Sequence, residues 1–486
     1  MVLSLLIVGP DVGRTHPIRL AEASLGEIAQ SGIPVPTYDR ARLKPAIVHV
    51  GVGGFHRAHL AVYVHELAST GSDWGIVGLG LLPADAGMAA ALTGQDCLYT
   101  LIEKSDRPSP QVIGSITGYV HAPDGSDAAA PELIAAPSTS ILSLTITESG
   151  YAEPAAGDGE PTTFERIASG LALRRDRNAG RLTILSCDNV PGNGHVTRAA
   201  TLAGAGRLDP TLPDWVEENC TFPNSMVDRI TPATAPDDVE WLRESAGIDD
   251  SWPVVSEPFR QWVMEDEFAG ERPPWEDTGA IFTNQIDDWE QYKLRMLNAG
   301  HSCVAYLAAL AGITYVHEAL AVPELRDFVE GLLHREAIPT LVEIPGHPPE
   351  EYAASVLERF ANPGVRDQIA RICIDGSAKF PTFLIPTVER QLENGGPVER
   401  AATALAGWAR YLAVMKPEDQ AFDRSGEAAR RYAGEATSDP AAFLGYDAVF
   451  TPAVRGSPRF RGAFTAAYEQ LAAHGPISTI RVGAEP

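Results

Sequence analysis

Residues 46–59, Ala46-Ile-Val-His-Val-Gly-Val-Gly-Gly-Phe-His-Arg-Ala-His59, constrain the fold more than any other stretch of the chain. A short β-branched run enters a glycine turn and leaves it as an apolar-periodic segment, Arg57 to Leu67, that reads as a helix. This is the pattern of the first βα unit of a dinucleotide-binding fold. Gly51 and Gly53 permit a tight turn and a close backbone approach to a pyrophosphate, which binds at the helix N-terminus. The sixth position of a GxGxxG pattern is His56, so the motif alone is equally compatible with a purely structural turn.

The next segment supports the nucleotide reading. A second strand is expected at Trp74–Leu82, and Asp85 stands just past it. A carboxylate there binds the ribose hydroxyls of NAD and repels the 2′-phosphate of NADP. The same residue would also serve as the N-cap of a helix over 85–92. No arginine pair comes after it to hold a phosphate, which favours NAD.

Further strands are expected at 111–116, 119–120, 141–147 and 182–187, with loops at 122–131 and 155–163. Between the last two strands lies a helix whose Arg174-Arg-Asp-Arg177 segment is expected on its exposed side. Glu148 and Asn189 fall at strand C-terminal ends, where open α/β sheets place their ligands. Asp188-Asn189 also has the composition of an ordinary turn. Residues 222–232 form a short apolar segment around an acid–base pair, Asp228-Arg229.

From Asp287 onward the periodicity turns helical, over 290–335, 349–361, 364–374, 388–394, 397–415, 424–435 and 458–474. Two domains are therefore expected: an α/β one at 1–286, including a lead-in, and a mostly α-helical one at 287–486. The stretches 416–440 and 475–486 read as surface or tail, and residues 1–14 as an irregular leader rather than a signal peptide.

The second domain opens on Glu290-Gln-Tyr-Lys-Leu-Arg-Met-Leu-Asn-Ala-Gly-His301, inside an apolar run. At ~100° per residue, with Lys293 at 0°, Glu290 falls near ~60°, His301 near ~80° and Asn298 near ~140°. Four polar groups thus share one face of a helix that otherwise looks buried, and each costs free energy unless paired. A desolvated lysine is a usable general base, an asparagine amide can donate to an oxygen that gains charge, and a histidine can orient a hydroxyl. Base plus donor is what oxidation of an alcohol to a ketone requires. A structural helix with a snorkelling lysine is the competing reading. Farther on, Arg371 and Lys379 flank an Asp375-Gly376 turn.

Composition and missing motifs narrow the class. With 38 Lys+Arg against 64 Asp+Glu, the formal net charge of -26 argues against nucleic-acid and anionic-membrane partners. Five scattered cysteines without a CxxC pair suit a reducing cytoplasm and provide neither a disulfide framework nor a zinc cluster. No HExxH, no Tyr-x-x-x-Lys and no phosphate loop is present. A lysine base without a metal is then the most economical route for a hydride transfer.

Seven blocks, in order, resemble one family: Gly51-Val-Gly-Gly-Phe-His-Arg-Ala-His59, Ser143-Leu-Thr-Ile-Thr-Glu148, Ser186-Cys-Asp-Asn189, Met226-Val-Asp-Arg-Ile-Thr-Pro232, Glu257-Pro-Phe-Arg-Gln-Trp262, Lys293-x-x-x-Leu-Asn-x-x-His-Ser302 and Asp375-Gly-Ser-x-Lys379. The chain is similar over about residues 30–475 to the polyol-specific long-chain dehydrogenases, the mannitol dehydrogenase family. The resemblance implies a Rossmann-type N-terminal domain, a mostly helical C-terminal domain, an active site in the cleft between, and metal-independent hydride transfer between NAD and a linear polyol. It implies Lys293 as general acid/base, Asn189 and Asn298 as oxyanion donors, His301 positioning substrate, and Glu290 on the proton path. Arg371, Lys379 and Glu148 would meet the substrate. Gly51, Gly53, Gly54, Phe55, His56, Arg57, Asp85 and Asp228 would serve the cofactor.

There are departures. Leu60 stands where the family often has Gln, and Ala84 where a Glu commonly precedes the NAD-selecting Asp. Arg371, eight residues before Lys379, resembles the branch that interconverts D-mannitol and D-fructose. Lys293-Leu-Arg-Met-Leu-Asn298 looks more like the aldonate (D-mannonate/D-fructuronate) or arabinitol side. A non-catalytic NAD-binding redox sensor is the reading from another class; it would not need the lysine. The expected partners are a small polyol or ketose, with a monomer plausible.

Overall fold

The computed structural model describes residues 16–124, 127–152, 161–416 and 420–482. The expected leader at 1–14 and most of the loop at 155–163 lie outside them. The chain divides into two compact units, residues 1–286 and 287–486.

In the first unit the strands are β1 (Lys44–Val50), β2 (Trp74–Gly80), β3 (Ile116–His121), β4 (Ile141–Leu144), β5 (Leu182–Ser186) and β6 (Cys220–Thr221). They form one sheet in the order β3-β2-β1-β4-β5-β6, every pair parallel. That is the strand order of a dinucleotide-binding fold, which reverses direction between β1 and β4. Both faces are covered, so the central strands are apolar almost without interruption. Ile47, Ile76, Ile141 and Leu185 pack on one face with Tyr63, Val64 and Leu67 of a helix spanning Leu60–Ser69. Val48, Leu79, Leu142 and Ile184 pack on the other with Phe164, Ile167 and Leu171 of the helix Thr163–Asp176.

Local chemistry modifies the sequence expectations. The helix after the glycine turn is two pieces, α1 (Gly54–Ala58) and α2 (Leu60–Ser69), broken at His59 (φ -125°, ψ -93°). The expected strand at 111–116 is instead two, Ser109–Ile113 paired antiparallel with Tyr99–Glu103, and β3 in the main sheet. Arg174, expected on an exposed face, is buried. Its guanidinium donates to the carbonyls of Ile134, Ala136, Gly180 and Arg181, so its fork joins two loop ends that would otherwise bury unpaired acceptors. The helix Ala129–Ala135 begins inside the expected loop at 122–131.

The second unit is helical. Its first segment runs as α3 (Ile286–Tyr292), a π-helical turn over Lys293–Asn298, and α4 (Ala299–Leu310). Residues 299–308 are all buried. They pack against α5 (Glu399–Val414), which in turn carries α6 (Pro458–Val482), interrupted at Gly475 (φ 74°). The expected tail at 475–486 is therefore helical as far as Val482. Gly312 (φ 74°) ends the long run expected at 290–335. Of the helix expected at 364–374 only Ile369–Ile372 forms, and a helix at Gly376–Phe383 has no counterpart among the sequence expectations. No described helix is long and apolar enough to cross a membrane.

A second π-turn, Leu332–Ala337, carries buried Glu336, whose carboxylate accepts the Arg400 and Ala401 N–H groups at 2.7 and 2.9 Å. This satisfies two orphan donors at the start of α5 and places an anion at its positive end. Burial nevertheless raises the Glu336 pKa from 4.5 to about 7. The folded state then binds more protons than the unfolded state between those two values. Stability that Glu336 contributes at low pH is lost as pH rises through this window. Urea unfolding at about pH 5 and about pH 7.5 should show a larger fall in unfolding free energy for the wild type than for Glu336→Gln. Equal falls would refute this account.

Candidate active site

In the first unit the site begins at the carboxyl end of β1. Gly51 has φ +85°, and a Cβ there would collide with the Thr145 carbonyl oxygen at the end of β4. Gly53 differs: it is exposed, and a Cβ would come no nearer to this chain than 3.9 Å, from the Gly51 oxygen. The fold therefore requires glycine at 51, whereas at 53 it leaves room for something other than itself. Gly54 and Phe55 are half-buried beside it.

His56 and Arg57 turn inward. His56 stacks on His49 with centroids 3.4 Å apart, and among the described residues neither of its ring nitrogens has a hydrogen-bond partner. Burial drives the His56 pKa far down and that of His49 to about 3, so both rings are neutral. Arg57 donates to the Gly53 and Trp252 carbonyls and lies 5.3 Å from the Tyr99 ring centre. The side chains of His56 and Arg57 are thus buried within the turn and hold it from inside.

At the end of β2, Asp85 is half-buried and its Oδ2 accepts the Leu82 N–H at 2.9 Å. It makes no side-chain cap to the helix Ala86–Thr93; it folds back to close its own turn. Asp228 ends the strand Ser225–Asp228 opposite Gln261 and is buried. The adjacent Arg229 guanidinium contacts Glu103 at 2.5 Å and the carbonyls of Ala58 and Glu257.

The ends of β4 and β5 are tied by Asp188. Its carboxylate accepts the Ile146 and Thr147 N–H groups at 3.1 and 2.8 Å and the Tyr151 hydroxyl at 2.7 Å. Thr147 sits at φ 63° within this clasp. Burial raises the Asp188 pKa against those donors. Glu148 and Asn189, on either side of the clasp, are exposed. Asn193, unremarked in the sequence, donates to the carbonyls of Ser186, Asp188 and Ser225 and anchors the β5 end from beneath. Its signal was the Pro191-Gly192-Asn193 turn.

In the second unit Lys293 opens the π-turn and Asn298 closes it. A turn closed by i→i+5 bonds holds more than the ~3.6 residues of an α-turn, so each step rotates by less than ~100°. The uniform angles expected for this face do not apply. Asn298 is rotated back toward Lys293 from its expected ~140°. Lys293 and His301 are buried, while Glu290 and Asn298 are half-buried. Among the described residues, the Asn298 Nδ2 and the His301 Nε2 have no hydrogen-bond partner.

His301 stacks on Phe360 at 3.8 Å, and burial lowers its pKa to about 3, so the ring is neutral. Asp367, also missed in the sequence, has its Oδ2 4.0 Å from the His301 Nε2 and accepts two bonds from Arg371. The Lys379 Nζ donates to the Ile372 carbonyl at 3.0 Å. Among the described residues no three His, Cys, Asp or Glu side chains are grouped to hold a metal ion.

Residues 45–277 match the mannitol dehydrogenase Rossmann domain, and residues 285–472 match the mannitol dehydrogenase C-terminal domain. The chain belongs to the mannitol dehydrogenase family. It is 41% identical to the mannitol 2-dehydrogenase of Aspergillus terreus, over 96% of this chain and 99% of that one. Among solved structures it superposes on the Pseudomonas fluorescens mannitol 2-dehydrogenase ternary complex with NAD and D-mannitol. The TM-score is 0.85 at 36% identity, over 96% of this chain and all of that one. A D-sorbitol dehydrogenase in substrate-free form gives a TM-score of 0.86 at 33% identity, over 95% of this chain. This chain is accordingly a mannitol 2-dehydrogenase-like polyol oxidoreductase of this family.

The contrast between the two glycines is testable. Gly51→Ala must strain a positive φ and push the Thr145 backbone, at a cost of ~2 kcal/mol or more. Gly53→Ala should leave unfolding within ~0.5 kcal/mol of the wild type. Thermal and urea unfolding of both variants checks this, and equal destabilisation would refute it.

Proposed function

We propose that this chain interconverts D-mannitol and D-fructose with NAD, using Lys293 as general acid/base. The observation that carries the reading is the π-turn, which begins at a buried lysine and ends at an amide donor with no partner among the described residues. A buried N–H left unmade costs ~1–3 kcal/mol. An oxygen that gains negative charge would recover that energy, which is the logic of an oxyanion donor. The similarity to a relative solved with NAD and D-mannitol supports the substrate class.

The N-terminal residues fit a dinucleotide. Gly53 leaves open space at the start of α1 for a pyrophosphate, with Gly51 and Gly54 forming the turn around it. Asp85, past β2, suits the ribose hydroxyls, and Phe55 and Asp228 are assigned to the same site. When bound, NAD supplies the hydride acceptor. In the oxidising direction Lys293, as the free amine, takes the proton of the reacting hydroxyl. Asn298 donates its Nδ2–H to that oxygen, and Asn189 keeps the donor role implied by the resemblance. Glu290, three residues before Lys293 and so on the neighbouring helix turn, passes the proton outward. Neutral His301 offers one donor and one acceptor to a substrate hydroxyl. Arg371, Lys379 and Glu148 contact the remaining hydroxyls. No step in this scheme is assigned to a metal.

A second reading, aldonate oxidoreduction, draws on the cations Arg371 and Lys379, which would suit a carboxylate. NADH oxidation with D-fructose, D-fructuronate and D-xylulose in parallel separates these readings. Preference for fructose is expected; preference for fructuronate would move the enzyme to sugar acids, and preference for xylulose to pentitols. Activity with none of them would overturn the substrate assignment, and a NADH-binding titration would then separate an untested polyol substrate from a non-catalytic redox sensor.

Lys293→Ala should lower kcat by ~10²–10⁴-fold while NADH still binds in a fluorescence titration. Full turnover would sink the mechanism. Asp85→Ala should erode the preference for NAD over NADP in kcat/KM; an unchanged ratio would remove Asp85 from cofactor selection.

A further inference from the structure

We propose that Asp367 is a specificity-determining residue: by engaging the Arg371 fork, it makes this end of the site accept an uncharged polyol and disfavour a sugar acid. The inference rests on the assignment of Arg371 and His301 to the substrate.

The geometry is that of a built clamp. Asp367 is 5% exposed, and its carboxylate meets Arg371 side-on, with Nε to Oδ1 at 2.8 Å and Nη2 to Oδ2 at 2.6 Å. Such bidentate pairs are strong and directional. The aspartate itself is held from behind. The Val316 N–H donates to its carbonyl at 2.9 Å, Gln368 bridges to Tyr315, and the Ile369 N–H donates to the Thr314 carbonyl at 2.9 Å. The position of the Arg371 guanidinium is thus dictated by a fixed carboxylate, while the arginine side chain remains 51% exposed.

The consequence is electrostatic. A guanidinium has five N–H donors, and Asp367 takes two of them together with the fork that a carboxylate ligand would need. The remaining donors still suit hydroxyl oxygens. The charged groups acting on His301 are Asp367, Arg371, Arg359 and Lys379, three cations against one anion. Removing Asp367 raises the local positive charge by one and frees the bidentate edge. Asp367 Oδ2, 4.0 Å from the His301 Nε2, also repels an anion arriving beside that ring.

The test uses Asp367→Asn, which keeps the shape and removes the charge. The readouts are the KM for D-mannitol and the inhibition constant of D-mannonate against mannitol oxidation, so the acid need not turn over. The inhibition constant should fall by ~10-fold or more relative to the mannitol KM, and the gain should shrink at high salt. The double variant Asp367→Asn with Arg371→Gln restores the charge balance and should return the ratio toward the wild-type value. It also serves if the single variant does not fold. If both constants rise in proportion, or the double variant keeps the single variant's ratio, Asp367 is merely structural and the proposal falls. Arg371→Ala separates this from failure of the underlying assignment. An unchanged mannitol KM in that variant would place Arg371 away from the substrate and remove both.

Discussion

The close passage of the Gly51 backbone beside the Thr145 carbonyl is the constraint on which the first unit depends. β1 and β4 are neighbours whose onward connections leave in opposite directions, and their ends must diverge within a few ångströms. Only a residue without a Cβ fits. Once that turn is set, the other features depend on it. The helix must start at Gly54, and His49 and His56 stack beneath it. The Asp188 carboxylate then clasps the β4 exit to the β5 exit, presenting Glu148 and Asn189 at a common edge. The interior of this region is held by neutral imidazoles and backbone-bonded guanidiniums, with few exposed ion pairs taking part.

Much of this was legible in the sequence. β-branched runs ending in glycine or Asx residues mark the parallel strands β1, β2, β4 and β5, because a strand buried on both faces has almost no polar positions to confuse the pattern. The change to helical periodicity near Asp287 is equally plain. What was not legible depended on partners distant in sequence. Arg174 looks like any surface arginine until the loop ends at Ile134 and Gly180 meet it. Asp367 has no motif of its own, and its role appears only when Arg371 and His301 are brought beside it. His56 and Arg57 sit inside a binding motif yet point inward, because a motif records which residues recur together and not which way they face.

The face at 290–301 carries the expected residues at unexpected angles. The periodicity implies a uniform helix, and nothing in the composition of Lys293–Asn298 distinguishes the π-turn from α. Hydrogen-bond registry is a property of the packed helix: α4 is buried all round, and the extra residue is accommodated where it places a donor at the end of the turn. The Asn298 Nδ2 and the His301 Nε2, buried atoms without a partner among the described residues, show the same economy, since unmet polarity there is tolerated by the surrounding packing.

A π-turn is also a scar of length. It holds one residue more than a regular helix would, and a chain shortened by one anywhere in 293–298 would close into continuous α-helix with better hydrogen bonds. An engineer optimising this scaffold for thermal endurance would be drawn to that deletion, since natural proteins are rarely at their stability optimum. It would also change the spacing of Lys293 and Asn298 across the turn, while His301 and everything after it would keep nearly the same angle about the helix axis, because the smaller steps of the π-turn already absorb the extra residue. Endurance and the spacing of Lys293 and Asn298 are therefore opposed at this one turn, and recombining segments from longer or shorter relatives is safest with junctions outside it.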